Sequence, residues 1–420
     1  MNATMGGAAP AQNSTKDLTK DSDVAGQPLA GVRVIDLSHI YNGPYATFLM
    51  AMAGAEIIKI EPHGGEHLRI RANLGGASLP FAMLNSNKKA ITLNLKSKRG
   101  RELLFDMVRN ADVVVENFAP GVTDRLGIGA AALQEINPRL IYASSSGYGR
   151  SGPYRDYPAM DLTVQAMSGV MSITGFPDKP PVKSGPAVAD FFAGVHLFGG
   201  IMTALYEREK TGKGRTVEVS MQEAVYASLS SNLGMYHGRG GKLPPRTGNR
   251  HGGLAEAPYN VYPTRDGYIA IICNNNRHFH ALLKAMGREE LKEDPRFIDL
   301  KARIGHIDEV DELVGAWTAG LDRDEVVTLL LDHRVPHAPV RDLGEVINDP
   351  NMHARGTLQE IDHPEYGPMT VQHSPIRFDG TSLLPLRPSS RVGEQNPDVY
   401  QDWLGLSKAE YEQLVKDDVI

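Results

Sequence analysis

The sequence predicts an α/β protein organised on a parallel sheet, and three observations carry that prediction. Short apolar runs such as Val113-Val-Val-Glu116 have the length and composition of buried strands. These runs alternate with helix-period segments through the first half of the chain. The first three elements are a strand, a helix and a strand, an arrangement that lays both strands parallel through a right-handed crossover.

Taken in order, Val32–Ser38 is the first strand. The loop His39–Pro44 leads into a helix over Tyr45–Ala53, with Pro44 suited to a first helical turn. Ala55–Pro62 is the second strand, and the intervening turn lacks the G-x-G-x-x-G dinucleotide fingerprint. Gly64–Pro80 is Gly-rich and loop-like. Strands follow at Ala90–Leu95, Val113–Glu116 and Leu140–Ser144, separated by helical patterns at Lys98–Asn110 and Ala130–Ile136 and a short turn at Thr123–Leu126. A helix starts near Asp161, and a longer one follows Asp190 and stops at Thr211-Gly-Lys-Gly214. Thr216–Ser220 is the last strand of this series, before a helix over Met221–Asn232.

Composition then shifts. Tyr236–Gly253 is rich in Gly, Arg and His, and Tyr259–Cys273 reads as two strands around the turn Thr264-Arg-Asp-Gly267. Helical patterns follow at His278–Met286, Ile304–Ala319 and Asp324–Asp332. The chain therefore divides into a large α/β domain over 29–225, a smaller α+β domain over 226–334, and a C-terminal segment over 335–420 with a final helix at Lys408–Lys416. Residues 1–28 carry few large apolar side chains and lack the apolar core of a secretory signal, so they read as a disordered leader.

Composition also excludes classes. A net charge of -6 without a basic stripe argues against a nucleic-acid binder. No apolar run approaches membrane-spanning length, so no membrane partner is expected. The single cysteine, Cys273, cannot form an internal disulfide, which fits a reducing, cytoplasmic setting. None of the 14 histidines sits in H-E-x-x-H or a Cys/His pair, so no metal is expected. Ser144-Ser-Ser-Gly-Tyr-Gly149 is not a nucleophile elbow, and a P-loop is absent. Lys88, Lys89, Lys96 and Arg125 lie near strand ends, where each is either a solvated charge or, together with the others, part of a phosphate site.

One stretch combines an isolated charge with an apolar helix. Asp190 is the only charged side chain between Lys183 and Glu207. Phe191, Val195, Phe198, Met202 and Leu205 follow it at the period of one helix face. Gly194, Gly199 and Gly200 interrupt the helix pattern, as they do where another backbone comes close. Two readings stand at this point: Asp190 is an N-cap for the helix, or its carboxylate does covalent or acid–base chemistry in an apolar setting.

A larger pattern bears on that choice. Val34-Ile-Asp-Leu-Ser38 to Gly43-Pro44, Gly54-Ala-Glu-Ile-Ile-Lys-Ile-Glu-Pro62, Asn87-Lys-Lys-Ala-Ile-Thr-Leu-Asn-Leu-Lys96, Val115-Glu-Asn-Phe-Ala-Pro-Gly121 and Asp124-Arg-Leu-Gly127 come in one order. Gln165-Ala-Met-Ser-Gly169, Ala189-Asp-Phe-Phe-Ala-Gly194 and Lys210-Thr-Gly-Lys-Gly214 follow. From about Gly31 to its end the chain resembles the class III CoA-transferases, the formyl-CoA transferase and carnitine CoA-transferase-like family. The resemblance implies a Rossmann-like large domain, a C-terminal segment that returns to it, and an interlocked homodimer. It implies acyl-CoA and a carboxylic acid as substrates, with no permanently bound cofactor. It places the nucleophile on Asp190 and CoA contacts on Tyr41 and Asn42, on Leu93, Asn94, Leu95 and Lys96, on Asn117, Phe118 and Ala119, on Arg125, and on Tyr157 and Met160. Pro62 and Pro158 fall where some members have an arginine and a lysine. Asp161 matches a position usually acidic, and Gly252 and Gly253 match a glycine loop that covers the active site.

The chemistry implied is attack of a poorly solvated Asp190 carboxylate on a thioester, through an aspartyl anhydride and an aspartyl-CoA thioester. Amides of Gly252 and Gly253 would stabilise the oxyanions. Two alternatives share the scaffold. An α-methylacyl-CoA racemase needs a histidine directly before the acidic residue, and Met160 stands there. A non-catalytic acyl-CoA-binding subunit would have no need of Asp190. Tyr41, Leu74, Phe81 and Tyr148 are candidate acid-pocket residues, and Arg69 or Arg71 could pair with the second carboxylate of an acid such as succinate.

Overall fold

In the computed structural model, residues 24–70, 79–242 and 246–420 are described. Six parallel strands form the main sheet: β1 (Arg33–Asp36), β2 (Glu56–Glu61), β3 (Lys89–Thr92), β4 (Val113–Glu116), β5 (Ile141–Ser146) and β6 (Thr216–Ser220). Their spatial order is β3-β2-β1-β4-β5-β6, the Rossmann order, and every pairing is parallel. Strand alternation sorts the core into two layers. Ile35, Ile58, Ile91 and Val114 pack on one face with the helix Lys98–Val108, while Val34, Ile57, Val113 and Val115 pack on the other with the helices Asn42–Met52 and Val188–Thr211.

The long helix Val188–Thr211 is apolar nearly all round, and this defeats a face assignment from periodicity. Its buried face is Ala189, Asp190, Ala193, Gly194, Leu197, Ile201, Ala204, Leu205 and Arg208, not the face expected from Phe191 and Val195. Val195 is half exposed. The small residues on the buried face let the helix Asn42–Met52 approach, and a Cβ on Gly194 would sit 2.7 Å from the Asn42 carbonyl oxygen. Gly199 has open space and Gly200 faces a Val217 side chain, so only Gly194 marks a close backbone. At 24 residues this helix is long and apolar enough to cross a membrane, contrary to the expectation from the sequence. Its buried face packs on the sheet and carries Asp190 and Arg208, which makes it a core helix.

The smaller unit holds an antiparallel sheet of β7 (Tyr259–Pro263), β8 (Tyr268–Ile272) and β9 (His337–Pro339), packed against helices Asn276–Ala285, Ile307–Thr318 and Arg323–Asp332. Because β9 pairs with β8, this unit reaches past the expected boundary at residue 334. A hairpin of β10 (Leu358–His363) and β11 (Gly367–Gln372) follows. The chain then returns to the large unit: Ala90 N–H donates to Gln395 Oε1 and Thr92 N–H to Asn396 Oδ1, each at 2.8–2.9 Å. Val399, Tyr400, Leu414 and Ile420 join the core beside β3. Most of the expected leader lies outside the described residues, but residues 24–28 form turns, and Gln27 Nε2 donates to the Ser382 carbonyl at 2.9 Å. A short helix, His67–Ile70, stands inside the segment expected to be loop.

Candidate active site

The order of the strands reverses direction between β1 and β4, so the loops leaving these two strands part and leave a crevice at their C-terminal ends. Asn117, just after β4, ties the loops together. Its Oδ1 accepts from His39 N–H at 2.8 Å, and its Nδ2 donates to the His39 carbonyl and to Asn42 Oδ1, each at 2.8 Å. A cavity of about 700 Å³ opens here. Its lining brings together Asp190, Asn42, Asn117, Phe118, Ala119, Arg125, Tyr157 and Met160, as expected from the sequence. An adjoining cavity of about 550 Å³ holds Leu93, Asn94, Leu95 and Lys96 together with Pro62. The two share His39, His67 and Phe118 as a common wall.

Asp190 is the third residue of the long helix and not its cap; Ala187 occupies the cap position and offers no side-chain bond. The helix's first amides are taken by another element. Asp161 Oδ1, from the helix Asp161–Met167, accepts from Ala189 N–H at 2.8 Å and from Asp190 N–H at 3.4 Å. Among the described residues, no donor reaches the Asp190 carboxyl, which is 7 % exposed. Burial, and then the Asp161 charge, push its pKa up to about 7. An apolar setting, a neighbouring anion and no hydrogen-bond donor all favour a reactive carboxylate. His39 stands on the cavity wall with its pKa pulled down to about 4 by burial, helped by Lys59 and His67, so it is neutral near pH 7.

Several expected site residues fall elsewhere. Gly252 and Gly253 do not line the cavity in this chain: Gly253 N–H donates to His251 Nδ1 at 3.1 Å, and both glycines lie against Asn232 and Ser231 of the preceding helix. Tyr41 is absent from the lining and stacks on Phe191, ring centroids 6.0 Å apart. Phe81 is buried beneath Arg69, whose guanidinium lies 3.8 Å from the ring. Arg69 is spent on Glu61, with contacts of 2.8 and 2.9 Å, so it does not serve a substrate carboxylate. Arg71 and Leu74 lie outside the described residues. Tyr148 lines the cavity. Lys88 and Lys89 are not phosphate ligands: Lys88 is buried on Asp36, Thr47 and Asn85, and Lys89 pairs with Glu56 at 2.9 Å. Lys96 and Arg125 do face the cavities. Among the described residues, no cluster of ligating side chains could hold a metal.

Reading the sequence alone missed His39, Arg155 and Gln165. His39 stands two residues before the Tyr41-Asn42 motif, and that proximity was the available signal. Gln165 opens one of the motifs shared with the family, but its partners lie 4 and 19 residues away and its role did not follow from the motif.

Comparison with known proteins defines the class. The model of CoA-transferase family III matches residues 29–396. The chain belongs to that family. It is 38% identical over 409 residues to the formyl-CoA:oxalate CoA-transferase of Streptomyces coelicolor, covering 93% of this chain and 99% of the relative. It is 42% identical over 359 residues to the acetyl-CoA:oxalate CoA-transferase of Acetobacter aceti, covering 84% of this chain and 90% of the relative. It is also 34% identical over 381 residues to the succinate–glutarate CoA-transferase of Agrobacterium fabrum, covering 89% and 94%. The crystal structure of a CAIB/BAIF family protein from Brucella suis superposes with a TM-score of 0.79 at 33% identity, covering 90% of this chain and 99% of that one. The protein is an enzyme that moves coenzyme A between an acyl-CoA and a carboxylic acid.

Proposed function

We propose that Asp190 carries the transfer as a covalent nucleophile. The observation behind this is its buried carboxyl, reached by no donor among the described residues, on the cavity that also holds Asn42, Asn117 and Arg125. The carboxylate oxygen attacks the thioester carbonyl, the C–S bond breaks, and CoA leaves as a thiolate. The thiolate attacks the Asp190 carbonyl of the resulting anhydride and expels the donor acid, leaving an aspartyl-CoA thioester. The acceptor carboxylate then attacks that thioester, and the returning thiolate takes the acceptor's acyl group, which restores the Asp190 carboxylate. The apolar surroundings protect the anhydride from water.

The nucleotide end of CoA fits the second cavity, with Leu93, Asn94, Leu95 and Lys96, and Arg125 offers a cation to its phosphates. Small dicarboxylates are the first acceptors to test, because the relatives are named for oxalate and glutarate. Among the described residues, Arg155 is the further arginine on the cavity for a second carboxylate. The working form is a cytoplasmic homodimer, and the exposed Phe192, Val195 and Tyr206 of the long helix offer an apolar face for the second copy. Incubation with acyl-CoA followed by hydroxylamine should leave a hydroxamate on the Asp190 peptide in mass spectra. An unmodified peptide from an enzyme that is turning over contradicts the assignment.

A further inference from the structure

Gln165 is fully buried and uses every polar atom of its amide. Its Nε2 donates to Asp161 Oδ2 at 2.6 Å, and its Oε1 accepts from Ser184 N–H at 2.9 Å and Ser184 Oγ at 3.0 Å. One side chain thus grips both the carboxylate that holds the first amides of the Asp190 helix and the strap, residues 183–187, that leads into that helix. This matters because of where Asp190 sits. The amides at the second and third helical positions are ordinarily taken by the side chain of the N-cap residue, and Ala187 has none to offer. Asp161 occupies that role from outside, so the Asp190 carboxyl stays turned to the cavity.

We propose that Gln165 is a positioning residue of the transfer reaction: it holds Asp161 on the amides of Ala189 and Asp190 and thereby keeps the Asp190 carboxylate unbonded. Without the Gln165 donor, Asp161 is released and Asp190 folds back onto the freed amides. A carboxylate bonded to amides is a weaker base and a weaker nucleophile. The same event lowers the Asp190 pKa, which the apolar setting and the Asp161 charge hold near 7. The other charged or titratable groups on the cavity are His39, His67, Arg125, Arg155, Asp156 and the tyrosines, and the packed helices Asn42–Met52 and Met221–Tyr226 bring Tyr45 and Glu223. Among the described residues, none of these is hydrogen-bonded to Gln165.

The test compares Gln165→Met and Asp161→Asn with the parent enzyme, each checked for a native circular dichroism spectrum, and follows kcat, KM for acyl-CoA and the acid limb of the kcat/KM profile. The expected result for Gln165→Met is a fall in kcat of about 10- to 100-fold, with KM within about twofold. Its acid limb should move down by about one pH unit, in the direction set by Asp161→Asn. The double variant should be no worse than Asp161→Asn alone. A lower kcat with an unmoved acid limb, or losses that multiply in the double variant, would overturn the proposal. Gln165→Glu provides a second route if the methionine variant does not fold. While the introduced carboxyl is protonated it still donates to Asp161, so activity relative to the parent should be greatest at low pH and fall as pH rises; a flat ratio contradicts the proposal. The inference rests on Asp190 as nucleophile, and failure of that reading is separable, since Asp190→Ala would then retain turnover.

Discussion

The large domain buries two aspartates at the same end of its sheet and treats them in opposite ways. Asp36, at the end of β1, is completely buried yet richly bonded: Lys88 Nζ at 3.1 Å, Thr47 Oγ1 at 2.6 Å and Ser38 N–H at 3.0 Å, with Lys59 nearby. Burial opposes its charge, but Lys88, Lys59 and the hydroxyls outweigh it and hold the carboxyl well below the usual range. Asp190 is nearly as buried and has no donor among the described residues. Burial alone therefore does not decide what a carboxylate does. Partners do, and a side chain kept for chemistry is the one denied them.

The largest effect that could break this contrast is on turnover. Asp190→Asn should lower kcat by about 10⁴-fold or more without lowering the thermal midpoint, because it removes a charge that the fold does not stabilise. The parent enzyme's kcat/KM should show an acid limb near pH 7, where the Asp190 carboxyl becomes ionised. The stability signs also differ. The raised Asp190 pKa costs stability as pH climbs from 3.8 towards 7, whereas the depressed Asp36 pKa contributes stability that is lost as pH falls below 3.8. Urea midpoints across pH for the Asp190→Asn variant should accordingly gain on the parent as pH rises.

Next in size is Lys88→Met, which strands the Asp36 charge and should cost about 3–5 kcal/mol in urea unfolding. A neutral result would mean that Asp36 is as free as Asp190. Gly194→Ala should cost about 1–3 kcal/mol, since its Cβ meets the Asn42 carbonyl at 2.7 Å, and the strain should also reach the Asn42–Asn117 contact at the cavity. Smallest is Arg125→Ala, expected to raise KM for acyl-CoA roughly tenfold while leaving kcat near the parent value. A fall in kcat instead would place Arg125 in the chemistry and not in CoA binding.

Much of the fold could be read before the structure. Val113–Glu116, Ala130–Ile136, Thr216–Ser220 and Lys408–Lys416 have the expected bounds, because local apolar period and flanking turn residues determine them. The face of the long helix could not be read, since nearly every position is apolar or small and periodicity has nothing to contrast. At the site, most positions singled out on the strand-end loops came together on the two cavities, Tyr41 excepted, whereas the fates of lysines and arginines did not follow from sequence. Arg69 and Lys88 are claimed by Glu61 and Asp36, partners 8 and 52 residues away. Whether a cation is free for phosphate depends on such distant acids. The capping of the Asp190 helix by Asp161 spans 28 residues and was invisible for the same reason.

The return of the C-terminal segment has a consequence for biosynthesis. β3 is the edge strand of the main sheet, and its exposed rim is satisfied by Gln395, Asn396 and Tyr400, about 300 residues further along the chain. Until those residues emerge from the ribosome, the rim of β3 lacks these bonds and is open to pairing with another chain. Completion of the large domain is therefore post-translational in timing, and truncation before residue 395 should produce an aggregating protein even though every strand of the sheet is present.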